Sequence, residues 1–539
     1  MPTALISVSD KNGIELFARG LVEQGFDILA SDGTAKYLLE RGVAVRDIAS
    51  LARGGPILGH RVVTLSREIH VGILTSDSPE DTAELKSMGL PRIDLVCVDI
   101  YPLKKTITMH GTLREKVLEQ TDVGGIALLH AAAKGRRIVI AHPRDRAIVL
   151  AWLKEGRPHE DEFITELAIR AEAVVADYCL ASARYHSKGR YDGFVMSSVR
   201  ECAYGENAWQ VPSGLMSLAK NDPLALDLFV HEGGMSPSYN NLIDVDRLLQ
   251  TMTHIIAIFD VHKKMLGDFH GKYIGVAGKH GNACGAAVGN DAANVVKKTI
   301  DGDTRAIFGG VMIVNFPVDL ALVEVLLSHS MPKGVKRLLD VVIAPSFSAE
   351  ARDMLSARKG NKCRLLSNQA LATLGRASLD SHTRYRYVRG GFLRQPNYTQ
   401  VPNFTTGIVE RSTEIEPHTL RDMLLASAIG ATSNSNTITL VHNGMLIGNG
   451  VGQQDRIGAC SLALRRAHDA GHSTVGAVAY SDSFFPFIDG PETLAHAGIQ
   501  AIFTSSGSVR DEDVRQFCKK RGITLCMIPD ALGRGFFGH

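Results

Sequence analysis

The 539-residue chain is defined first by what is missing from it. No two of its eight cysteines have CxxC spacing, and none of its 20 histidines has glutamate two residues on. These gaps leave no ligand pattern for a zinc ribbon or a zinc-dependent base deaminase, so no metal site is expected. Scattered cysteines in so long a chain fit a reduced cytoplasmic setting better than a disulfide framework. No uninterrupted apolar run approaches the ~20 residues of a membrane span. The opening stretch "MPTALISVSDK" has neither the basic segment nor the apolar run of a secretory signal. Aromatic residues make up 6% and the net charge is +2, so neither a stacking platform nor a strongly charged face is expected. The chain therefore reads as a cytoplasmic protein with no nucleic-acid or membrane partner.

What is present is ample apolar material, 45% of the residues, and 52 glycines. That length suits about three folding units. The N-terminal region repeats one grammar. "ALISVS" and "FDILAS" read as strands, each followed by a helical pattern; "IDLVCVDIY" and "RRIVIAH" are further strands, and "DVGGIALLHAAAKG" is a glycine turn entering a helix. Alternating strands and helices imply a mostly parallel sheet, with ligands beyond the carboxyl ends of the strands. Ser9, Asp10, Lys11, Ser31, Asp32, Gly33, Thr34, Asp122, Gly124 and Gly125 fall at those ends. "SDGTAK" offers either a phosphate-binding helix N-terminus or a plain helix cap.

A polar, glycine-bearing stretch near residues 187–200 marks a boundary, giving a first domain over 1–195. Two α/β regions follow, 196–375 and 376–539. "HEGGMSPSYNNLID" reads as a loop rich in turn formers. "SLDSHTRYRYVRGGFLRQPNYTQVPNF" reads as a strand pair with a hairpin at Gly390-Gly391, in preference to an RNA-binding patch. The last region echoes the one before it: "YIGVAGKHGNACGAAVGNDAANVVKKTI" and "TITLVHNGMLIGNGVGQQDRIGACSLAL" both run strand, glycine-rich turn, helix.

Within that echo, "AGKHGNACG" (277–285) concentrates reactive side chains. It is not a Walker-type loop, because His280 stands where serine or threonine must follow the lysine. Cys284 could be a thiol nucleophile, but a small buried apolar side chain is the stronger reading. Lys279 and His280 could form an acid–base pair on a glycine turn. On the local sequence alone, an ordinary exposed dipeptide is the stronger reading.

Taken together and in order, "ISVSDKNG", "SDGTAKYL", "VDIYPL", "DVGGIALLHAAAK", "AYGEN", "SYNNLIDVD", "GKHGNACGAAVG", "FGGVMIVN", "VVIAPSF", "GGFLRQ", "GNGVGQQDR" and "SDSFFPFIDG" resemble the bifunctional aminoimidazole carboxamide ribonucleotide (AICAR) formyltransferase / IMP cyclohydrolase family. The resemblance runs nearly end to end. It implies a methylglyoxal-synthase-like parallel-sheet domain that closes the purine ring, and two cytidine-deaminase-like α/β subdomains without zinc that transfer a formyl group. It also implies 10-formyl-tetrahydrofolate as co-substrate, a homodimer and, as an option, a monovalent cation.

Carried over by motif, Lys279, His280 and Asn436 are the transferase residues, with His280 taking the amine proton. Tyr204, Gly205, Asn207, Asn240, Arg456, Phe484 and Asp489 fall on substrate positions, and Asp303 on an acidic folate position. Ser9, Lys11, Gly33, Thr34, Arg61 and Thr64 match nucleotide-binding positions. Tyr101, Asp122, Gly124, Gly125 and Lys134 match the ring-closing site.

The sequence also departs from the family. Val63 and Ala203 stand where the resemblance implies a lysine and an arginine, Trp209 where it implies histidine, and Asn434 where it implies a lysine. "HAAAKGR" replaces "RAAAKNH". Gly535 stands at an arginine position, beside Arg534, and the chain closes on His539. Arg200, three residues upstream of Ala203, is a candidate replacement. Lost charge-assisted hydrogen bonds at about 1.5–3 kcal/mol each are large enough to impair one activity. The expectation is therefore both activities, with two alternatives: transfer alone with ring closure impaired by Val63, or a non-catalytic nucleotide-binding protein on the same fold.

Overall fold

The computed structural model describes residues 1–52, 62–218, 221–357, 360 and 362–538. Two compact units make up the chain, Met1–Met196 and Ser197–His539.

In the first unit, strands β1 (Thr3–Val8), β2 (Asp27–Ala30), β3 (Arg46–Asp47), β4 (Leu95–Asp99) and β5 (Ile138–Ile140) form a sheet in the order β3-β2-β1-β4-β5. Every pairing is parallel. Helices α1 (Ile14–Glu23), α2 (Asp32–Leu39), α3 (Gly124–Lys134) and α4 (Glu160–His186) accompany it. Ala4, Leu5, Ile6 and Leu95–Val98 are buried because a parallel sheet is covered on both faces. The strand order reverses between β1 and β4. That switch point is where the loops splay apart and leave a crevice at the carboxyl ends.

The second unit is a duplicated sheet. A small hairpin, β6 (Ser197–Cys202) and β7 (Ser213–Ser217), precedes it. Its first half is β8 (Val230–Gly233), α5 (Tyr239–Leu266), β9 (Tyr273–Lys279), β10 (Asn282–Gly289), α6 (Ala292–Asp301), β11 (Gly310–Val314), α7 (Leu320–Ser328), β12 (Leu339–Ala344), α8 (Ala349–Ser356) and β13 (Arg364–Ser367). A hairpin, β14 (Thr383–Val388) and β15 (Gly391–Pro396), lies between the halves in sequence. The second half repeats the list: β16 (Glu410–Arg411), α9 (Pro417–Gly430), β17 (Ile438–His442), β18 (Met445–Gly450), α10 (Arg456–Asp469), β19 (Val478–Ser481), α11 (Asp489–His496), β20 (Ala501–Ser506), α12 (Asp511–Arg521) and β21 (Thr524–Pro529).

Among the described residues the sheet order is β16-β21-β20-β19-β17-β18-β10-β9-β11-β12-β13-β8. It reads as one set of six strands and its mirror in sequence order. Each pairing in one half has the same sense as its counterpart; β9 with β10 and β17 with β18, for instance, are both antiparallel hairpins. The halves join through β10 and β18 at Ala287 and Met445. Helices α5 and α9 bury their faces in a common core through Val245, Met252, Ile255 and Phe259 on one side and Leu420, Met423 and Leu424 on the other. The echo seen in the sequence is thus a structural duplication.

One expectation is corrected. "HEGGMSPSYNNLID" is not a continuous loop: His231–Gly233 belong to the edge strand β8, and Tyr239 begins a 28-residue helix. Ser238 and Asn241 form a reciprocal capping box that starts α5, which the turn-forming composition conceals.

Candidate active sites

In the first unit a cavity of about 1550 Å³ lies at the carboxyl ends of β1, β2 and β4. Ser9, Lys11, Gly33, Thr34, Thr64, Tyr101, Asp122, Gly124 and Gly125 all line it. Lys11 Nζ donates to Thr34 Oγ1 at 3.1 Å and to the Val8 carbonyl. Burial lowers the Lys11 ammonium pKa, opposed by the nearby Asp99 and Asp10 carboxylates. Ser9 Oγ donates to Asp99 Oδ2 at 3.2 Å.

Of the residues expected at the ring-closing site, Tyr101, Asp122, Gly124 and Gly125 form one cluster. Asp122 accepts from the Gly125 N–H at 2.7 Å and the Tyr101 N–H at 3.3 Å. Burial nevertheless raises its carboxyl pKa above the usual value, against the pull of those two hydrogen bonds. Burial and the Asp122 charge raise the Tyr101 phenol. A Cβ at Gly124 would meet Thr64 Oγ1 at 2.4 Å, and one at Gly125 would meet Asp122 Oδ2 at 2.5 Å. The paired glycines are what lets this loop close on both side chains. Tyr178 on α4, which sequence reasoning missed, accepts from the Asp122 N–H at 2.6 Å and donates to the Gln120 carbonyl at 3.1 Å. Burial pushes its phenol up to about 12, so it stays a neutral strut.

Val63 also lines the cavity and packs against the core of the unit. Lys134 stands at the far end of α3 from Gly124, about 15 Å along the helix at 1.5 Å per residue, and does not line the cavity. Arg61 lies outside the described residues.

In the second unit Lys279 closes β9, and His280 with Gly281 forms the two-residue turn into β10. Both turn residues have positive φ, 53° and 72°. The glycine tolerates this freely; at His280 the backbone must be held. It is held from α5: the Gly281 N–H donates to Asp244 Oδ1 at 2.6 Å, and Arg247 Nε donates to the Gly281 carbonyl at 2.9 Å. Lys279 Nζ donates to the Phe308 carbonyl at 3.0 Å. A cavity of about 220 Å³ is lined by Lys279, His280, Asn282, Cys284, Asp303 and Arg466 among others. Asp303 faces Arg466 at 3.5 Å. Burial pushes the Cys284 thiol up to about 12, which removes it as a thiolate nucleophile at neutral pH.

Asn436 comes from the other half. Its Oδ1 accepts from Arg456 Nη2 at 2.9 Å, and its Nδ2 donates to the Gln453 carbonyl at 3.0 Å. Arg456 also pairs with the buried Asp482. Asn282 bridges the halves: it donates to the His280 carbonyl at 3.1 Å and accepts from the Asn434 N–H at 3.2 Å.

The remaining residues form smaller groups. The Gly205 N–H donates to the Gln210 carbonyl, the Asn207 N–H donates to Gln210 Oε1, and Asn240 donates to the Glu206 carbonyl. Tyr204 and Trp209 are exposed on this loop. Phe484 lies under the Arg534 guanidinium, 5.7 Å from ring centre to Cζ, and Asp489 opens α11. Arg200 donates to the Phe229 carbonyl at 3.3 Å. A Cβ at Gly535 would meet the Tyr398 hydroxyl at 2.1 Å, so an arginine there would not fit without displacement. His539 lies outside the described residues. Asp244, Arg247 and Asn282 had no separate signal in the sequence, because the groups they hold are mostly backbone atoms far along the chain.

One unit is a duplicated α/β sheet with a Lys-His turn; the other is a parallel sheet with a Tyr-Asp-Gly-Gly crevice, the two-part organisation of a bifunctional enzyme. The chain belongs to the family described as AICARFT/IMPCHase bienzyme, which matches residues 132–466; an MGS-like domain matches residues 13–127. It is similar to the "Bifunctional purine biosynthesis protein PurH" of Polynucleobacter necessarius, 32% identical over 97% of this chain and 98% of that protein. The protein of the same name from Bacillus cytotoxicus is 33% identical over 97% of each chain. A solved structure titled "Crystal structure of ForH" is 33% identical over 34% of this chain and 98% of its own, with a TM-score of 0.31. Among the described residues no helix is long and apolar enough to cross a membrane.

Proposed function

We propose that the chain carries out the last two steps of de novo purine biosynthesis. The second unit moves a formyl group from 10-formyl-tetrahydrofolate to AICAR, and the first closes the formylated product to IMP with loss of water. The clamped Lys279–His280 turn carries this reading: its glycine is held at both N–H and carbonyl, so the two side chains project from a fixed backbone.

In the transfer step the substrate amine attacks the formyl carbon while His280 takes its proton. The carbonyl oxygen becomes an oxyanion. Asn436 Nδ2 gives one N–H to Gln453 and has a second for that oxygen. Collapse restores the carbonyl and expels the folate nitrogen, which takes a proton by way of Lys279. In ring closure the carboxamide nitrogen adds to the new formyl carbon and water leaves, with Asp122 and Tyr101 moving the protons. The domain division follows as 1–195 for ring closure, with 196–375 and 376–539 as the two transferase halves.

Purified protein given AICAR and 10-formyl-tetrahydrofolate is expected to yield tetrahydrofolate and IMP; folded protein with no turnover overturns the reading. A second reading, transfer with slow ring closure, is favoured by Val63 lining the cavity where a lysine is implied. Lys104 in that cavity is paired with Asp177. Supplying the formylated intermediate directly separates the two, since fast IMP formation excludes the second.

Three finer features complete the proposal. A monovalent cation fits beside Asp482: this carboxylate is fully buried, Oδ1 accepts from Arg456 and the Thr437 N–H, and Oδ2 has no hydrogen-bond partner among the described residues. Asp482 would hold the ion at Oδ2, the oxygen that its pairing with Arg456 leaves without a partner. A homodimer is supported by the β14–β15 hairpin, which exposes Tyr387 and Leu393 on a two-stranded sheet of its own. A cytoplasmic location is supported by eight cysteines that are all free.

A further inference from the structure

We infer that Arg247 is a positioning residue for formyl transfer: its single guanidinium ties the His280 turn to the loop that carries Asn436. The inference rests on the transferase reading of the second unit. Arg247 sits on α5 one turn beyond Asp244 and is 9% exposed. Its Nε donates to the Gly281 carbonyl at 2.9 Å. Its Nη2 donates to the Thr432 carbonyl at 3.0 Å and to Asn434 Oδ1 at 2.8 Å. One planar, permanently charged fork thus spans both halves of the duplicated sheet, which a flexible ammonium could not do with the same geometry. Burial, helped by the nearby Arg384, lowers its pKa to about 10, so it remains charged at neutral pH.

The far end of the chain is drawn into the same junction. The Phe537 ring lies under two guanidiniums, with Arg247 Cζ 4.3 Å and Arg384 Cζ 3.8 Å from its centre. The Phe537 N–H donates to the Ser433 carbonyl at 3.2 Å, and Gly538 bridges to Asn434. The tail therefore covers the loop that Arg247 holds.

The duplication supplies an internal control. In the other half the Gly444 N–H donates to Asp422 Oδ1 at 2.7 Å, matching Asp244. Asp244 and Asp422 are each the sixth residue of their helix; the ninth is Arg247 in α5 but Leu425 in α9. A turn of this kind is therefore built without the arginine. In the other half Arg421 lies against Gly444 and pairs with its neighbour Asp422, so the arginine at the ninth position, which holds the turn carbonyl, goes with the turn that carries Lys279 and His280. Arg247 also supplies a cation beside Asn434, where the family resemblance implies a lysine.

The test uses the full chain with Arg247→Leu, which copies the other half, Arg247→Lys, and Asn434→Lys alone and combined with Arg247→Leu. Transfer kcat and AICAR KM are measured, with IMP formation from supplied formylated intermediate as the control for the first unit. Loss of a charge-assisted contact predicts a fall of about 10- to 100-fold in kcat for Arg247→Leu, with KM moved much less. Arg247→Lys keeps part of the rate. Asn434→Lys lowers the rate beside Arg247 but raises it in the Arg247→Leu chain, a reversal that a packing role would not produce. Wild-type kcat in Arg247→Leu overturns the inference, as does a loss that neither lysine recovers. No transfer by the wild-type chain overturns the transferase reading instead.

Discussion

The two hairpin turns of the second unit have the same frame and different chemistry. Lys279-His280-Gly281-Asn282 links β9 to β10, and His442-Asn443-Gly444-Met445 links β17 to β18. The central residues have φ of 53° and 72° in one and 50° and 69° in the other, the left-handed pair that suits the twist of a hairpin. Each glycine N–H is held by the equivalent helix aspartate. The second turn uses asparagine, which accepts this backbone readily, and its carbonyl is taken by Lys298 at 2.6 Å. The first uses histidine, which accepts it less readily, and braces it with Arg247. Duplication thus provides two rigid turns, of which one bears Lys279 and His280, the proposed acid–base groups. The other half contributes instead the loop with Asn436 and Arg456. On the proposed mechanism, chemistry is divided between copies of one frame.

The largest expected effect tests that division. His280→Asn keeps a residue suited to positive φ and removes the proton acceptor. Transfer should fall about 10²- to 10⁴-fold, the usual contribution of a general base, with the melting temperature nearly unchanged. Asn443→His in the second turn should leave transfer unaltered. Steady-state assays of both variants decide it; a His280→Asn chain at wild-type rate would remove His280 from the mechanism and break the comparison.

The helices behind the turns differ as well. Both His254 and His262 are buried on α5, whereas His418, on α9, is exposed. His254 donates to the Gln250 carbonyl at 2.9 Å and stacks on Tyr398, and burial pushes its imidazole down to about 4. His262 Nε2 accepts from the Phe404 N–H at 2.9 Å, and burial lowers its pKa too. A depressed folded pKa means that the unfolded chain binds the proton more tightly. The stability from His254 is complete above the unfolded value near 6.5 and is lost as pH falls towards 4. About 3 kcal/mol is at stake for His254. Denaturant titrations between pH 7 and pH 4 should show stability falling with pH, and His254→Gln should flatten that slope. An unchanged slope would show that His254 is not the acid-labile group on α5.

These features differ in how far the sequence discloses them. The first unit was legible because buried parallel strands and glycine turns alternate within a few residues, and the crevice residues sit directly after strands. The echo of "YIGVAGKHG" and "TITLVHNGM" was legible for the same local reason. The sheet order was not, since it depends on pairings such as Ala287 with Met445, whose partners are remote in the chain. Val230–Gly233 was hidden because an edge strand pairs on one side only and tolerates glycine. Lys279 and His280 could be singled out from motif order. Arg247 could not, because its meaning lies in the Gly281 and Thr432 carbonyls, which any residue would supply. Lys134 matched by motif, yet α3 carries it away from the cavity that Gly124 and Gly125 line.

The paired aspartates give a smaller effect of graded kind. Asp244→Asn and Asp422→Asn each weaken one charge-assisted bond to a turn N–H, worth about 1.5–3 kcal/mol. Asp422 also accepts from Arg421 Nε at 2.8 Å and is 4% exposed, so its loss should appear as lower thermal stability. Asp244 holds the reactive turn, so its loss should lower transfer kcat about tenfold beyond any change in melting. Equal kinetic effects from the two variants would mean that both turns act in catalysis.

The smallest effect concerns Asn443 itself. Alanine at φ 50° carries a left-handed penalty of about 1 kcal/mol that glycine avoids. Asn443→Ala should therefore lower the melting temperature by a few degrees at most, and Asn443→Gly by less. Transfer should stay within about twofold in both, since strain at this turn reaches the first half only through the β10–β18 pairing and the Lys298 bond, neither of which touches the His280 side chain. Calorimetry and the transfer assay on the same samples separate the two outcomes. A tenfold loss of rate in Asn443→Ala, recovered in Asn443→Gly, would show that backbone strain passes between the hairpins, and the second turn would then be part of the device that holds the first.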